Sequence, residues 1–333
     1  MNVPGAAQDG AAQDGAGQDG AAQGGAGHQG RTVPRWVRAI DAHVHLADET
    51  WMATVGDERA RSIARAFGRE QVVVPVDEMA AEYRGRGMMA VVVSSTDATV
   101  TGRASVPNDH LADVVAAHPD VFFGMGVVDP WQGKLAEREI ERIAELGLVG
   151  VGELNPARQH FAPNDTRFYP LWRRADDLGL VVLFHGGYAA AGSGTPGGGG
   201  VKLRFSRPTL LDDVAADFPT LRIVCAHPSW PWESAALAVT MHKRNVYLDL
   251  SGMAPRYLSA EMRQHVRRRI PEKVLFGTDW PSLSVERWLR EFDELGFEDE
   301  VREKVLLGNA LRLFGLEQEG SADAGAGPTA AQP

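Results

Sequence analysis

The chain has 333 residues, with 34 basic against 44 acidic side chains and a net charge of −10, a balance that disfavours non-specific binding to nucleic acid or an anionic membrane surface. No apolar run approaches the roughly twenty residues needed to cross a bilayer. A single cysteine, Cys225, excludes an internal disulfide and makes a reducing cytoplasm the simplest expected setting.

The N-terminal stretch cycles through Ala, Gln, Asp and Gly with almost nothing to bury, so residues 1–32 are expected to form a disordered tail. It lacks the basic and apolar regions of a signal peptide. Residues 319–333 are rich in Ala, Gly and Pro and are expected to be loose as well. Between them, residues 33–318 contain no linker long enough to separate two cores, and the expectation is one large domain.

Eight short apolar runs in that domain read as strands: Val37–His43, Met88–Ser95, Val121–Val128, Leu148–Leu154, Leu180–His185, Leu221–His227, Val246–Ser251 and Lys273–Asp279. Between them lie helix-like segments, among them those starting near Pro107, Lys134, Thr166, Arg207, Pro281 and Val301. Strongly apolar strands alternating with amphipathic helices predict a parallel sheet covered by helices, and eight repeats predict a closed (β/α)8 TIM barrel. A doubly wound open sheet is the rival. It would hold the first and last strands far apart.

Chemistry-bearing residues collect where these strands stop. His43 and His45, in AIDAHVHL, are separated by one residue on an extended strand and point to the same side, as a two-pronged metal clamp would require. His185 in VVLFHGG, His227 in IVCAHPSW and Asp279 in VLFGTDWP each sit where an apolar run gives way to turn residues. A lone strand-end histidine is usually structural. Four of them with a carboxylate, all at the carboxyl ends of strands one, five, six and eight, predict a metal site at the catalytic face of a barrel. Cys225, two residues before His227, reads as a buried small hydrophobe below that site.

The order of these residues, together with FGTDWP, GNALRLFGL and the His-Pro and Pro-Trp of AHPSWPW, resembles the amidohydrolase superfamily over the whole domain. The narrower resemblance is to the amidohydrolase-related group of aminocarboxymuconate-semialdehyde decarboxylase, γ-resorcylate decarboxylase and pyrone-dicarboxylate hydrolase. It implies that His43, His45, His185 and Asp279 coordinate one divalent metal, usually zinc and sometimes manganese, while His227 polarises the substrate or moves a proton. The segment KLRFSRPTLLDDVAADFP is similar to aryl β-ketoacyl-CoA hydrolases.

The residue chemistry agrees. Three imidazoles and a carboxylate suit zinc, and a water in an open coordination position would have its pKa brought toward roughly 7. Asp279 could then take a proton while His227 supports a developing oxyanion or protonates a leaving group. Glu153, in GVGELN, is expected either to hold a ligand histidine by its other nitrogen or to bind a second metal. The glycine-rich stretch from Gly186 to Gly200 reads as a surface loop or a mobile lid. Beyond it, Lys202, Arg204 and Arg207 are candidate contacts for a substrate anion. Trp131, Trp230, Trp232 and Trp280 could wall an aromatic substrate or simply pack. Asp129 and Asp249 read as turn or capping residues.

The expected activity is metal-dependent hydrolysis of a small carboxylate or acyl-CoA substrate, in aromatic catabolism. A decarboxylase using the same metal site is the first alternative, and a non-catalytic metal-binding barrel is the second. A small-molecule substrate is the expected partner, and pairing of two copies into a homodimer is expected by analogy.

Overall fold

In a computed structural model of the chain, described for residues 31–70 and 72–320, eight parallel strands follow one another around a single sheet. They are β1 (Ala39–His45), β2 (Met88–Val93), β3 (Phe122–Gly126), β4 (Gly150–Leu154), β5 (Val181–His185), β6 (Ile223–Ala226), β7 (Val246–Asp249) and β8 (Val274–Leu275). Nearly every strand residue is buried, as parallel strands covered on both faces must be.

Backbone bonds between the first strand and the segment after the last complete the ring. Ala42 N donates to Phe276 O at 2.9 Å, Asp279 N to His43 O at 2.9 Å, and His45 N to Trp280 O at 2.8 Å. The open-sheet alternative is thereby excluded, because the HxH pair and Asp279 are neighbours. The expected eighth strand, Lys273–Asp279, is ladder-paired only over Val274–Leu275. Beyond it the buried carboxylate of Asp41 supplies the missing partners, accepting from Thr278 N at 2.9 Å and Thr278 Oγ1 at 2.6 Å.

Two apolar layers follow from the strand alternation. Val91, Phe123, Val181, Leu183 and Val224 fill the barrel interior, closed below by Leu313 and Phe314 of the C-terminal helix Asn309–Phe314. The outer layer packs Val92, Phe122 and Phe184 against helix residues such as Ile140, Trp172 and Trp288. Cys225 is buried as expected, but with this helix-facing layer. The strand stops at Ala226 and His227 takes a left-handed conformation, φ 67°, so the alternation that would have put both residues on one side is broken.

The ordered framework overlaps the expected tail boundaries by a residue at each end: Thr32–Val33 pairs with Glu317–Gln318, and Glu319 N donates to Val33 O. The remainder of the two expected tails, residues 1–30 and 321–333, lies outside the described residues.

Candidate active site

Strand β1 ends at a cavity of ≈ 240 Å³ at the carboxyl ends of the strands, which His45 lines and His43, set into the barrel wall, does not. His43 is fully buried, and its Nδ1 lies 3.1 Å from Asp249 Oδ2 and 3.2 Å from Ser251 Oγ. Among the described residues its Nε2 has no hydrogen-bond partner, and it faces Asp279 Oδ1 at 3.8 Å. His45 Nε2 approaches the same oxygen at 3.2 Å. Ligand atoms of His43, His45 and Asp279 all lie within 4.8 Å of one another.

The donor set fits a divalent cation. A buried imidazole nitrogen without a partner is costly unless something electropositive meets it. The Asp249 contact fixes the tautomer that leaves Nε2 free, as outer partners of metal-binding histidines do. Burial alone would lower the pKa of His43. Asp249 first, then Glu153 and Asp279, raise it to about 10. The floor therefore carries a negative field that a cation can satisfy in place of protons.

His185 does not join that triad. Its Nδ1 faces Glu153 Oε1 at 2.6 Å, and its Nε2 lies 3.2 Å from Tyr188 O. The expected fourth ligand is thus turned to the neighbouring carboxylate, because Glu153 is buried and needs donors. His227 Nε2 lies 3.0 Å from His185 Nδ1 and 3.4 Å from Glu153 Oε1. Burial opposes the ionised form of Glu153, yet the His185 and His227 imidazoles hold its pKa well below the usual carboxylate range. The other oxygen, Oε2, is 3.8 Å from His45 Nε2, so Glu153 connects the two halves of the floor. Ligand atoms of His43, Glu153 and His227 also fall within 4.8 Å of one another, which keeps both expected roles of Glu153 open.

Local backbone geometry aims these groups. Asp279, at φ 59°, leaves the barrel wall as soon as the Asp41–Thr278 bonds release it. His227 rests its Nδ1 on Ser251 O at 3.1 Å and Ser251 Oγ at 2.9 Å. A Cβ on Gly252 would stand 2.7 Å from that nitrogen, so the close approach requires glycine.

Not every expected contact is placed at the cavity. Lys202 and Arg207 are exposed and do not line it; Arg207 lies over the Trp232 ring instead, 5.6 Å from its centroid. Trp280 is 4% exposed and packed in the outer apolar layer, contributing its backbone to barrel closure. Asp249, expected to be a turn residue, is fully buried against His43. The cavity wall includes Trp51, Tyr188 and Trp230, and its two arginines are Arg59 and Arg158. Nothing in the sequence marks either arginine: ERARSIARAF, which carries Arg59, has the charge pattern of a solvated helix.

A family model described as amidohydrolase matches residues 40–316. The chain belongs to the amidohydrolase family. Among curated relatives, it is 22% identical over 325 residues to a γ-resorcylate decarboxylase from Polaromonas sp., covering 84% of this chain and 95% of the relative. Among solved structures, an uncharacterised TIM-barrel protein from Bordetella bronchiseptica aligns with a TM-score of 0.68 and 26% identity, over 83% of this chain and 97% of that one. A dihydroxybenzoic acid decarboxylase from Polaromonas sp., solved with manganese and 2-nitroresorcinol, aligns with a TM-score of 0.57 and 19% identity, over 84% of this chain and 97% of that one.

Proposed function

We propose that this amidohydrolase is a metal-dependent, non-oxidative decarboxylase of a small aromatic acid. The observation that carries the reading is the His43, His45 and Asp279 triad, whose His45 and Asp279 share one cavity with His227, in a chain similar along most of its length to a γ-resorcylate decarboxylase. Loss of carbon dioxide from an aromatic ring needs the substrate's oxygens held and a proton delivered to the carbon that bears the carboxylate. A divalent ion, manganese or zinc, would supply the Lewis acidity that holds those oxygens.

The chain's own groups do the rest. Asp279 and His227 are the cavity-facing pair, with side chains 15% and 13% exposed. Burial works against a charged His227, but its hydrogen bond to Glu153 and the nearby Asp279 raise its pKa above the ordinary value. The Ser251 carbonyl holds the Nδ1 hydrogen, leaving Nε2 to carry the mobile proton. As the bond between ring and carboxylate breaks, its electron pair stays on the ring carbon, which takes the proton from His227 Nε2. Carbon dioxide leaves and water reprotonates the imidazole. Trp51, Ile63 and Phe67 give the cavity an apolar wall for a ring.

Hydrolysis by an activated water, the activity expected from sequence, would use the same residues, with Asp279 taking the proton of the water. The reading is tested by stripping the protein with a chelator, reloading it with Mn²⁺ or Zn²⁺, and assaying hydroxybenzoic acids for carbon dioxide. Release restored only by metal is expected. Hydrolysis of an ester or thioester substrate, with no carbon dioxide from any acid, would replace the decarboxylase reading. The cytoplasm is the proposed setting, on the ground that the lone cysteine leaves no internal disulfide to protect.

A further inference from the structure

Arg59 sits on the helix Asp57–Phe67, which is tied to the glycine-rich loop where Gly192 N donates to Ser62 Oγ at 3.0 Å and Arg65 Nη2 donates to Ser193 O at 3.2 Å. These bonds hold the helix over the mouth, and Arg59 lines the same cavity as His45, His227 and Asp279. It also lines an adjoining recess of ≈ 70 Å³, together with Arg103 and Arg158.

The two cavity arginines are satisfied very differently. Arg158 is 5% exposed and well paired: Nε and Nη2 donate to Asp97 Oδ2 at 3.1 and 2.5 Å, and Nη1 donates to Ser95 Oγ at 3.2 Å. Arg59 reaches the same Ser95 hydroxyl only at 3.4 Å, and its buried Nε has no partner among the described residues. Two of the nearby carboxylates are committed elsewhere, Asp97 to Arg158 and Glu153 to His185, while Glu58 lines the recess without bonding Arg59. A guanidinium has five donors in a rigid fork, and part-burying one beside another cation, as at Arg59, is unfavourable unless a ligand supplies the anion. Burial first, then repulsion from Arg158, lower the pKa of Arg59 to about 9.

We infer that Arg59, backed by Ser95 and Arg158, is a subsite for a second carboxylate of the substrate, so that aromatic dicarboxylic acids are the preferred substrate class. The inference rests on the small-acid reading above. A planar fork matches a carboxylate bidentately. One end of the substrate then meets the His43, His45 and Asp279 floor while the other is held at Arg59.

The test uses binding, which does not depend on the reaction. Isophthalate and benzoate are titrated calorimetrically into the full-length, Mn²⁺-loaded protein, into Arg59→Gln and into Arg59→Lys. We expect the wild type to bind isophthalate about 10- to 100-fold more tightly than benzoate. Arg59→Gln should erase that preference with metal content and melting temperature unchanged, and Arg59→Lys should restore part of it. Equal affinity of the wild type for the two ligands, or an undiminished preference in Arg59→Gln, overturns the inference. So does inorganic phosphate binding more tightly than isophthalate in an Arg59-dependent way. If the preference holds but no acid yields carbon dioxide, the subsite stands and the decarboxylase reading falls.

Discussion

Asp249 Oδ2 lies 3.1 Å from His43 Nδ1, and this contact leaves the opposite ring nitrogen facing Asp279 with no hydrogen-bond partner among the described residues. Asp249→Asn keeps the shape but loses the charge that orients and strengthens the ligand. It should weaken divalent-metal affinity about 10- to 100-fold, measured by competition with a chelating dye. Activity should recover at saturating metal, which a globally misfolded variant would not do.

His227 is proposed to move a proton, not to hold the metal. His227→Asn should lower kcat about 10²- to 10⁴-fold while metal content, read by elemental analysis, stays near wild type. A matching loss of metal would place His227 among the ligands, consistent with the close spacing of His43, Glu153 and His227.

Gly252 tests the support behind that imidazole. A Cβ there would stand 2.7 Å from His227 Nδ1, on a backbone at φ 67°. Gly252→Ala should therefore cost about 1–3 kcal/mol of stability from backbone strain and contact, and should depress kcat more than KM. Thermal unfolding and steady-state kinetics check the two effects separately.

Cys225 gives a pH-dependent prediction. Burial raises its thiol pKa to about 12. The folded state therefore keeps the proton through a range in which the unfolded chain releases it. This contribution to stability is complete below the ordinary thiol pKa and is lost as pH rises toward about 12. At pH 8 the native protein should resist iodoacetamide for hours and label at one site once denatured, as mass spectrometry would show. Rapid labelling of the native protein would contradict the buried placement.

Much of the barrel was legible because it rests on local pattern. β-branched runs ending in turn residues marked the ring of strands, and the histidines at their ends marked the catalytic face. What escaped depends on tertiary partners. The shortened β8 follows from Asp41, a residue distant in sequence whose carboxylate takes over the bonds of Thr278. Asp249 looks like a turn aspartate until β7 carries it beneath His43. Lys202 and Arg207 are adjacent to the glycine-rich loop in sequence yet lie outside the cavity, while Arg59 reaches it from a helix with an ordinary charge pattern. Sequence adjacency is a poor guide to which charges face a barrel mouth, because each loop leaves the rim in its own direction.

The reaction itself is decided by running the Mn²⁺-loaded enzyme with its aromatic acid in D₂O enriched with H₂¹⁸O and weighing the product. Decarboxylation through His227 predicts one deuterium on the ring carbon that lost its carboxylate and no ¹⁸O in the product. A product carrying ¹⁸O and no deuterium on carbon would contradict that account and make the protein a hydrolase.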